Sequence, residues 1–93
     1  MTGRRSIAMK KYLIIIESGS TNYSAFSPDV PGCVTTGGTV EETMRNMKKA
    51  LEFHLADETD LPEAKGLQYH LEEGILKESP LVPGDLVTEL EMG

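Results

Sequence analysis

The hydrophobic pattern begins with a run that is apolar at every position. Residues 12–16 read Tyr-Leu-Ile-Ile-Ile, a segment that is too short for an independent helix and rich in β-branched side chains. It predicts a strand with apolar side chains on both faces, which belongs in the middle of a sheet. Small turn-forming residues at 18–22 and a renewed extended pattern at 23–27 then predict a β-hairpin.

Prolines interrupt this extended pattern. Pro28 and Pro31 end the hairpin because proline cannot donate to a strand ladder. A third short strand is predicted near residues 34–36, and Gly37 and Gly38 supply the tight exit of a strand-to-helix junction.

An amphipathic helix follows. Thr39 at the N-cap and Glu42 at the third helical position can each satisfy a backbone N–H of the first turn. The pattern predicts a helix that ends near Glu58, with polar residues on its outer side. Its apolar stripe comprises Val40, Met44, Met47, Leu51 and Leu55.

The sequence after this helix predicts a second, shorter helix and a last strand. Pro62 is placed to begin the helix, Gly74 lies just beyond its end, and residues 85–92 alternate as a strand does. The predicted fold is therefore α+β, a small antiparallel sheet in the order β-β-β-α-α-β with its helices on one face.

Length and composition favour one domain. The 93 residues are 39% hydrophobic, which suits a single compact unit with a thin core that neighbouring subunits often complete. We expect residues 1–8, which lack a hydrophobic period, to form a disordered tail, and residues 9–93 to form the domain. Met9 is an alternative start site. A homodimer or homotetramer is the expected assembly.

Charge and cysteine usage narrow the function. Fifteen acidic against nine basic residues give a net charge of −6, which repels phosphate and predicts no direct nucleic-acid binding but a basic protein partner. With one cysteine, neither an intramolecular disulfide nor a Cys/His zinc site can form. The apolar run is too short to span a bilayer. These features predict a cytoplasmic protein without membrane attachment or cofactor.

Two catalytic arrangements can be assembled on paper. Cys33, His54 and Asp29 could form a nucleophile, base and orienting carboxylate, but a lone cysteine is usually a small buried hydrophobe and a histidine on the helix's apolar arc is usually packed or capping. Glu17, Asp29 and Glu41 are the carboxylates nearest the strand ends, yet they form no metal motif. We therefore expect no enzymatic activity.

The motifs themselves resemble the N-terminal domain of the HicB antitoxins of bacterial type II toxin-antitoxin pairs. The resemblance covers residues 12–55 best, and Pro-Asp-x-Pro-Gly-Cys at 28–33 is its most specific part. The other matching positions are Glu17, Tyr23-Ser24-Ala25, Thr35, Gly37, Thr39 and Glu41-Glu42.

That resemblance implies a partial ribonuclease-H-like fold without metal-dependent activity. It also implies a partner, a HicA-type toxin that resembles a double-stranded-RNA-binding domain and cuts messenger RNA, whose active face the antitoxin covers. Asp29, Val30, Pro31 and Gly32 are candidate partner-binding residues, although a rigid connector would account for this loop equally. Phe53 points away from the apolar stripe, and it either packs under the second helix or lies in an interface.

The sequence departs from the full-length family pattern in one respect. HicB antitoxins usually carry a DNA-binding segment after the first domain, whereas this sequence ends soon after an acidic strand. We therefore expect no operator binding. A homo-oligomeric protein of structural or regulatory role, with no toxin partner, is the alternative.

Overall fold

The structure is a computed structural model that describes residues 10–92. A four-stranded antiparallel sheet has the order β3-β2-β1-β4. The strands are β1 (Lys10–Ser18), β2 (Tyr23–Phe26), β3 (Val34–Gly37) and β4 (Leu86–Met92), and the helices are α1 (Val40–Leu55), α2 (Leu67–Glu72) and α3 (Ile75–Glu78).

The apolar strand β1 lies inside the sheet, as its pattern predicts. It pairs with β2 on one edge and with β4 on the other. Because successive side chains point to opposite faces, Ile14 and Ile16 enter one hydrophobic cluster, while Leu13 and Ile15 enter another. A strand that is buried on both faces needs apolar residues at every position, which is what residues 12–16 supply.

Helix α1 packs on the first face through its predicted stripe. Met47, Leu51 and Leu55 are buried there against β1. The helix begins as predicted, because Thr39 Oγ1 accepts a hydrogen bond of 3.0 Å from Glu42 N. Glu42 Oε1 accepts from Gly38 N at 2.7 Å, one residue before the N-cap.

The start of α1 is held close to the end of β3. A methyl group added at Gly37 would lie 2.5 Å from Thr43 Oγ1 and 2.7 Å from Thr43 N, so only glycine permits this approach. Asn46 Nδ2 also donates to Thr36 O at 2.8 Å. The strand-to-helix junction predicted from Gly37 is therefore a close-packed contact.

The chain then crosses to the other face of the sheet. Leu61 and Ala64 still pack against the first cluster, whereas Leu76 of α3 and Leu81 pack against Leu13 and Ile15. The α+β class and antiparallel sheet are confirmed, but the expectation that all helices share one face is wrong. The apolar residues on both sides of β1 require cover on both faces.

Two helix boundaries also differ from expectation. Helix α1 ends at Leu55, three residues before Glu58. The second predicted helix begins only at Leu67, and α3 follows it directly beyond Gly74. A methyl group at Gly74 would lie 2.6 Å from His70 Nδ1, so this glycine lets the chain turn tightly against α2.

The predicted tail at residues 1–8, together with Met9, lies outside the described residues. None of the helices described between residues 10 and 92 has the length and hydrophobicity that a membrane-spanning helix requires.

Candidate partner-binding surface

Asp29, predicted as a contact residue, lies in the interior. Its side chain is 0% exposed. Oδ2 accepts a hydrogen bond from Leu13 N at 2.9 Å, and Oδ1 accepts from Lys65 N at 2.9 Å. Oδ1 also lies 2.7 Å from His70 Nε2, which donates because a carboxylate oxygen is an acceptor. Asp29 thus joins β1 to the crossing segment and to α2.

The other members of the loop divide by position. Val30 and Cys33 enter the first cluster beneath α1, while Pro31 and Gly32 are exposed. Gly32 has φ +87°, a left-handed conformation that favours glycine. A contact between this loop and a partner stays a prediction, and only Pro31 and Gly32 of the four residues present surface for it.

Phe53 projects from the outer side of α1. It is 87% exposed, so the alternative in which it packs under the second helix is excluded. A large aromatic side chain exposed on a helix is typical of an interface, and this role stays a prediction. His54 beside it is exposed too, so of its two expected roles packing in the apolar arc is excluded, and a capping role in the last turn of α1 stays a prediction.

Sequence patterns do not indicate His70 as part of this network, although it is buried and forms a hydrogen bond with Asp29, which lies 41 positions earlier in the chain. Its Nδ1 has no hydrogen-bond partner among the described residues, and its ring meets that of Tyr69 edge to face at 5.2 Å. A six-residue helix offers too little pattern for such a contact to be predicted.

The arrangement of Cys33, His54 and Asp29 as nucleophile, base and orienting carboxylate is not assembled in the structure. Asp29 binds His70 rather than His54, and Cys33 is buried. Burial also raises the pKa of the Cys33 thiol, which disfavours the thiolate that a nucleophile needs. Burial, and then the charge of Asp29, raises the pKa of Tyr12, whose hydroxyl donates to Pro62 O at 2.7 Å.

Metal ligation has no clear candidate in the part of the chain described. Between residues 10 and 92, no three His, Cys, Asp or Glu side chains are grouped so that they could hold an ion. Glu17 lies at the end of β1, and Glu41 lies in the first turn of α1, where the helix dipole favours a carboxylate.

Charge is distributed unevenly along the chain. Residues 10–55 carry five acidic and five basic side chains and are neutral overall. Residues 56–92 carry ten acidic side chains against Lys65 and Lys77, a net charge of −8. The crossing segment, α2, α3 and β4 therefore supply the acidic character, which favours basic partners.

Fold and charge together define a small acidic α+β domain built around a doubly buried central strand. Residues 12–79 match the family described as the HicB-like antitoxin of bacterial toxin-antitoxin systems. The chain belongs to this family.

Individual proteins are also similar to this chain. A chain of the HicA3 and HicB3 toxin-antitoxin complex has a similar structure, with a TM-score of 0.64 and 25% identity over 89% of this chain and 98% of that one. An uncharacterized 14.9 kDa protein of Haemophilus phage HP1 is 38% identical over 64% of this chain and 48% of its own length. A UPF0150 protein of Helicobacter pylori is 44% identical over 46% of this chain and 60% of its own. The chain thus spans about half to two-thirds of the curated relatives it matches.

Proposed function

We propose that this chain is an antitoxin domain that binds a HicA-type toxin and neutralises it by covering the toxin's active face. The observation that carries the proposal is family membership over residues 12–79, reinforced by the likeness to a chain of a toxin-antitoxin complex. Both point to a protein partner.

Electrostatics supports the same partner class. A toxin that binds RNA needs a positively charged surface to contact phosphates. The net charge of −8 over residues 56–92 gives the antitoxin a complementary surface, which accelerates encounter with such a partner and disfavours acidic ones.

The proposed mechanism is steric and requires no reaction by this chain. Asp29, the carboxylate best placed for chemistry, accepts hydrogen bonds from three groups of its own fold. Its role is accordingly structural. In the toxin complex, exposed residues such as Phe53 would supply contact area.

Co-expression tests the proposal. A short basic reading frame from the neighbouring gene is expressed alone and with this chain, and growth and co-purification are measured. We expect the toxin alone to arrest growth and the pair to grow and co-purify. Leu51→Asp, which places a charge in the first cluster, is the control that should not fold or protect. Growth arrest that the folded wild-type chain fails to relieve would contradict the proposal.

A homo-oligomer without a toxin is the second candidate, favoured by apolar side chains on the second face. The exposed members there are Leu67, Leu71, Ile75 and Val87. Such a surface is common where subunits meet. Sedimentation velocity would support this candidate if the isolated chain formed a stable dimer or tetramer, and a monomer at micromolar concentration would count against it.

A further inference from the structure

A groove opens between the second half of α1, the segment that follows it and the end of β4. Its volume is about 610 Å³. The apolar part of its lining is formed by Leu55, Leu61 and Met92. Leu55 and Met92 belong to the first cluster, and Leu61 packs against that cluster half-buried. The groove therefore reaches down to the main hydrophobic core.

The rim of this groove is predominantly acidic. Lys48, Glu52, Glu58 and Glu91 line it. Glu91 lies 3.8 Å from Lys11, whereas Glu52 and Glu58 form no ion pair with any side chain in residues 10–92. Two carboxylates at the mouth thus remain available to an incoming cation.

The end of α1 adds to this negative potential. The helix stops at Leu55 beside the groove, and the carbonyl end of a helix carries a partial negative charge that favours lysine or arginine. His54 is the only basic residue in its last turn, and Asp57 and Asp60 follow in the sequence. The carboxylates and the helix dipole therefore both attract a positively charged group.

We infer that the groove binds a basic amphipathic segment of the partner protein. An apolar side chain of that segment enters between Leu55, Leu61 and Met92, and flanking lysines or arginines pair with Glu52 and Glu58. The identity of the partner as a toxin rests on the proposed function, but the chemistry of the groove does not. A second copy of this chain is a poor occupant, because its net charge of −6 is repelled by the acidic rim.

A synthetic peptide tests the groove without the toxin. The probe is a short peptide in which two leucines are flanked by lysines, and the matched peptide carries glutamates at the lysine positions. In NMR titrations of the full chain, the lysine peptide should shift the methyl resonances of Leu55, Leu61 and Met92, and the glutamate peptide should not. Binding should weaken as salt is added, because exposed charges are screened.

Charge reversal sharpens the test. Glu52→Lys with Glu58→Lys should weaken binding of the lysine peptide at least about tenfold, because two rim attractions become repulsions. Glu73→Lys with Glu78→Lys is the control, since it changes the net charge equally at the residue after α2 and on α3, away from the groove lining. The control should weaken binding less than about threefold. Circular dichroism confirms that both variants fold.

The outcomes separate this inference from the proposed function. If the toxin binds the wild-type chain and the groove variant equally well, the groove inference is overturned and the function stands. If no toxin binds, the function fails, and the peptide titration decides on the groove alone. Equal effects of both variant pairs on the peptide would indicate general charge attraction and overturn the inference. Concentration-dependent shifts of the groove methyls without peptide would identify a second copy as the occupant and overturn it too.

Discussion

The two faces of the sheet differ in how completely they are covered. On the first face, ten buried residues of the described part of the chain, three of them on α1, form one continuous cluster. On the second face, the corresponding cluster comprises Leu13, Ile15 and Leu76 within residues 10–92, and Val87 beside it remains 40% exposed. One long helix covers a sheet face, whereas two helices of six and four residues leave part of it open.

This contrast predicts that the two faces contribute unequally to stability. A fully buried aliphatic side chain contributes about 1.5–3 kcal/mol, so the first face should dominate the free energy of unfolding. The second face contributes less and carries much of the acidic charge, including Glu72, Glu73 and Glu78. It therefore has surface available for other molecules at little cost to the fold.

Asp29 connects β1 to the segment that covers the second face, and its replacement should lower the free energy of unfolding the most. Asp29→Ala leaves Leu13 N, Lys65 N and His70 Nε2 without their acceptor. A buried polar group that loses its partner costs about 1–3 kcal/mol, so we expect a loss of about 4 kcal/mol in the free energy of unfolding, measured with urea. Glu17→Ala, at an exposed site, is the control and should change stability by less than about 0.5 kcal/mol. An equally small change for Asp29→Ala would show that the network does not hold the crossing segment.

Matched core truncations compare the faces directly. Leu51 on the first face and Leu76 on the second are both buried, so the same substitution removes the same atoms. We expect Leu51→Ala to cost about 3 kcal/mol and Leu76→Ala about 2 kcal/mol, because the shallower second face collapses more easily around the cavity. Urea unfolding of both variants measures the difference. A larger loss for Leu76→Ala would reverse the assignment of the main core.

Local rules predicted the first half of the fold well. Residues 12–16 indicated a central strand by composition, and Thr39 and Glu42 marked the start of α1 through hydrogen bonds between residues close in sequence. The second half of the fold depends on contacts between residues that are far apart in the sequence. The chain crosses to the other face because Asp29 accepts from Lys65 and His70, and no periodicity within residues 56–78 encodes that pairing.

Sequence patterns indicate only part of how the candidate partner-binding residues are placed, for a related reason, and their contact with a partner stays a prediction. The loop motif at 28–33 is visible in the sequence, but its residues are divided between the interior and the surface. Asp29 and Val30 serve the interior, whereas Pro31 and Gly32 are exposed. Phe53 was placed correctly on the outer side of α1 because helical periodicity alone determines it. The groove depends on three separate segments, so sequence patterns could not indicate it.

The smallest effect is expected where the second face meets solvent. Leu71 on α2 is 43% exposed, so Leu71→Gln removes little buried area and should change the free energy of unfolding of the isolated chain by less than about 1 kcal/mol. Thermal unfolding at two protein concentrations is the measurement, because a chain stabilised by self-association unfolds at a temperature that rises with concentration. A concentration-dependent midpoint that Leu71→Gln abolishes would show that a second copy covers this face. A midpoint independent of concentration in both proteins would leave the face open to a different partner and make the contrast between the two faces a property of the single chain.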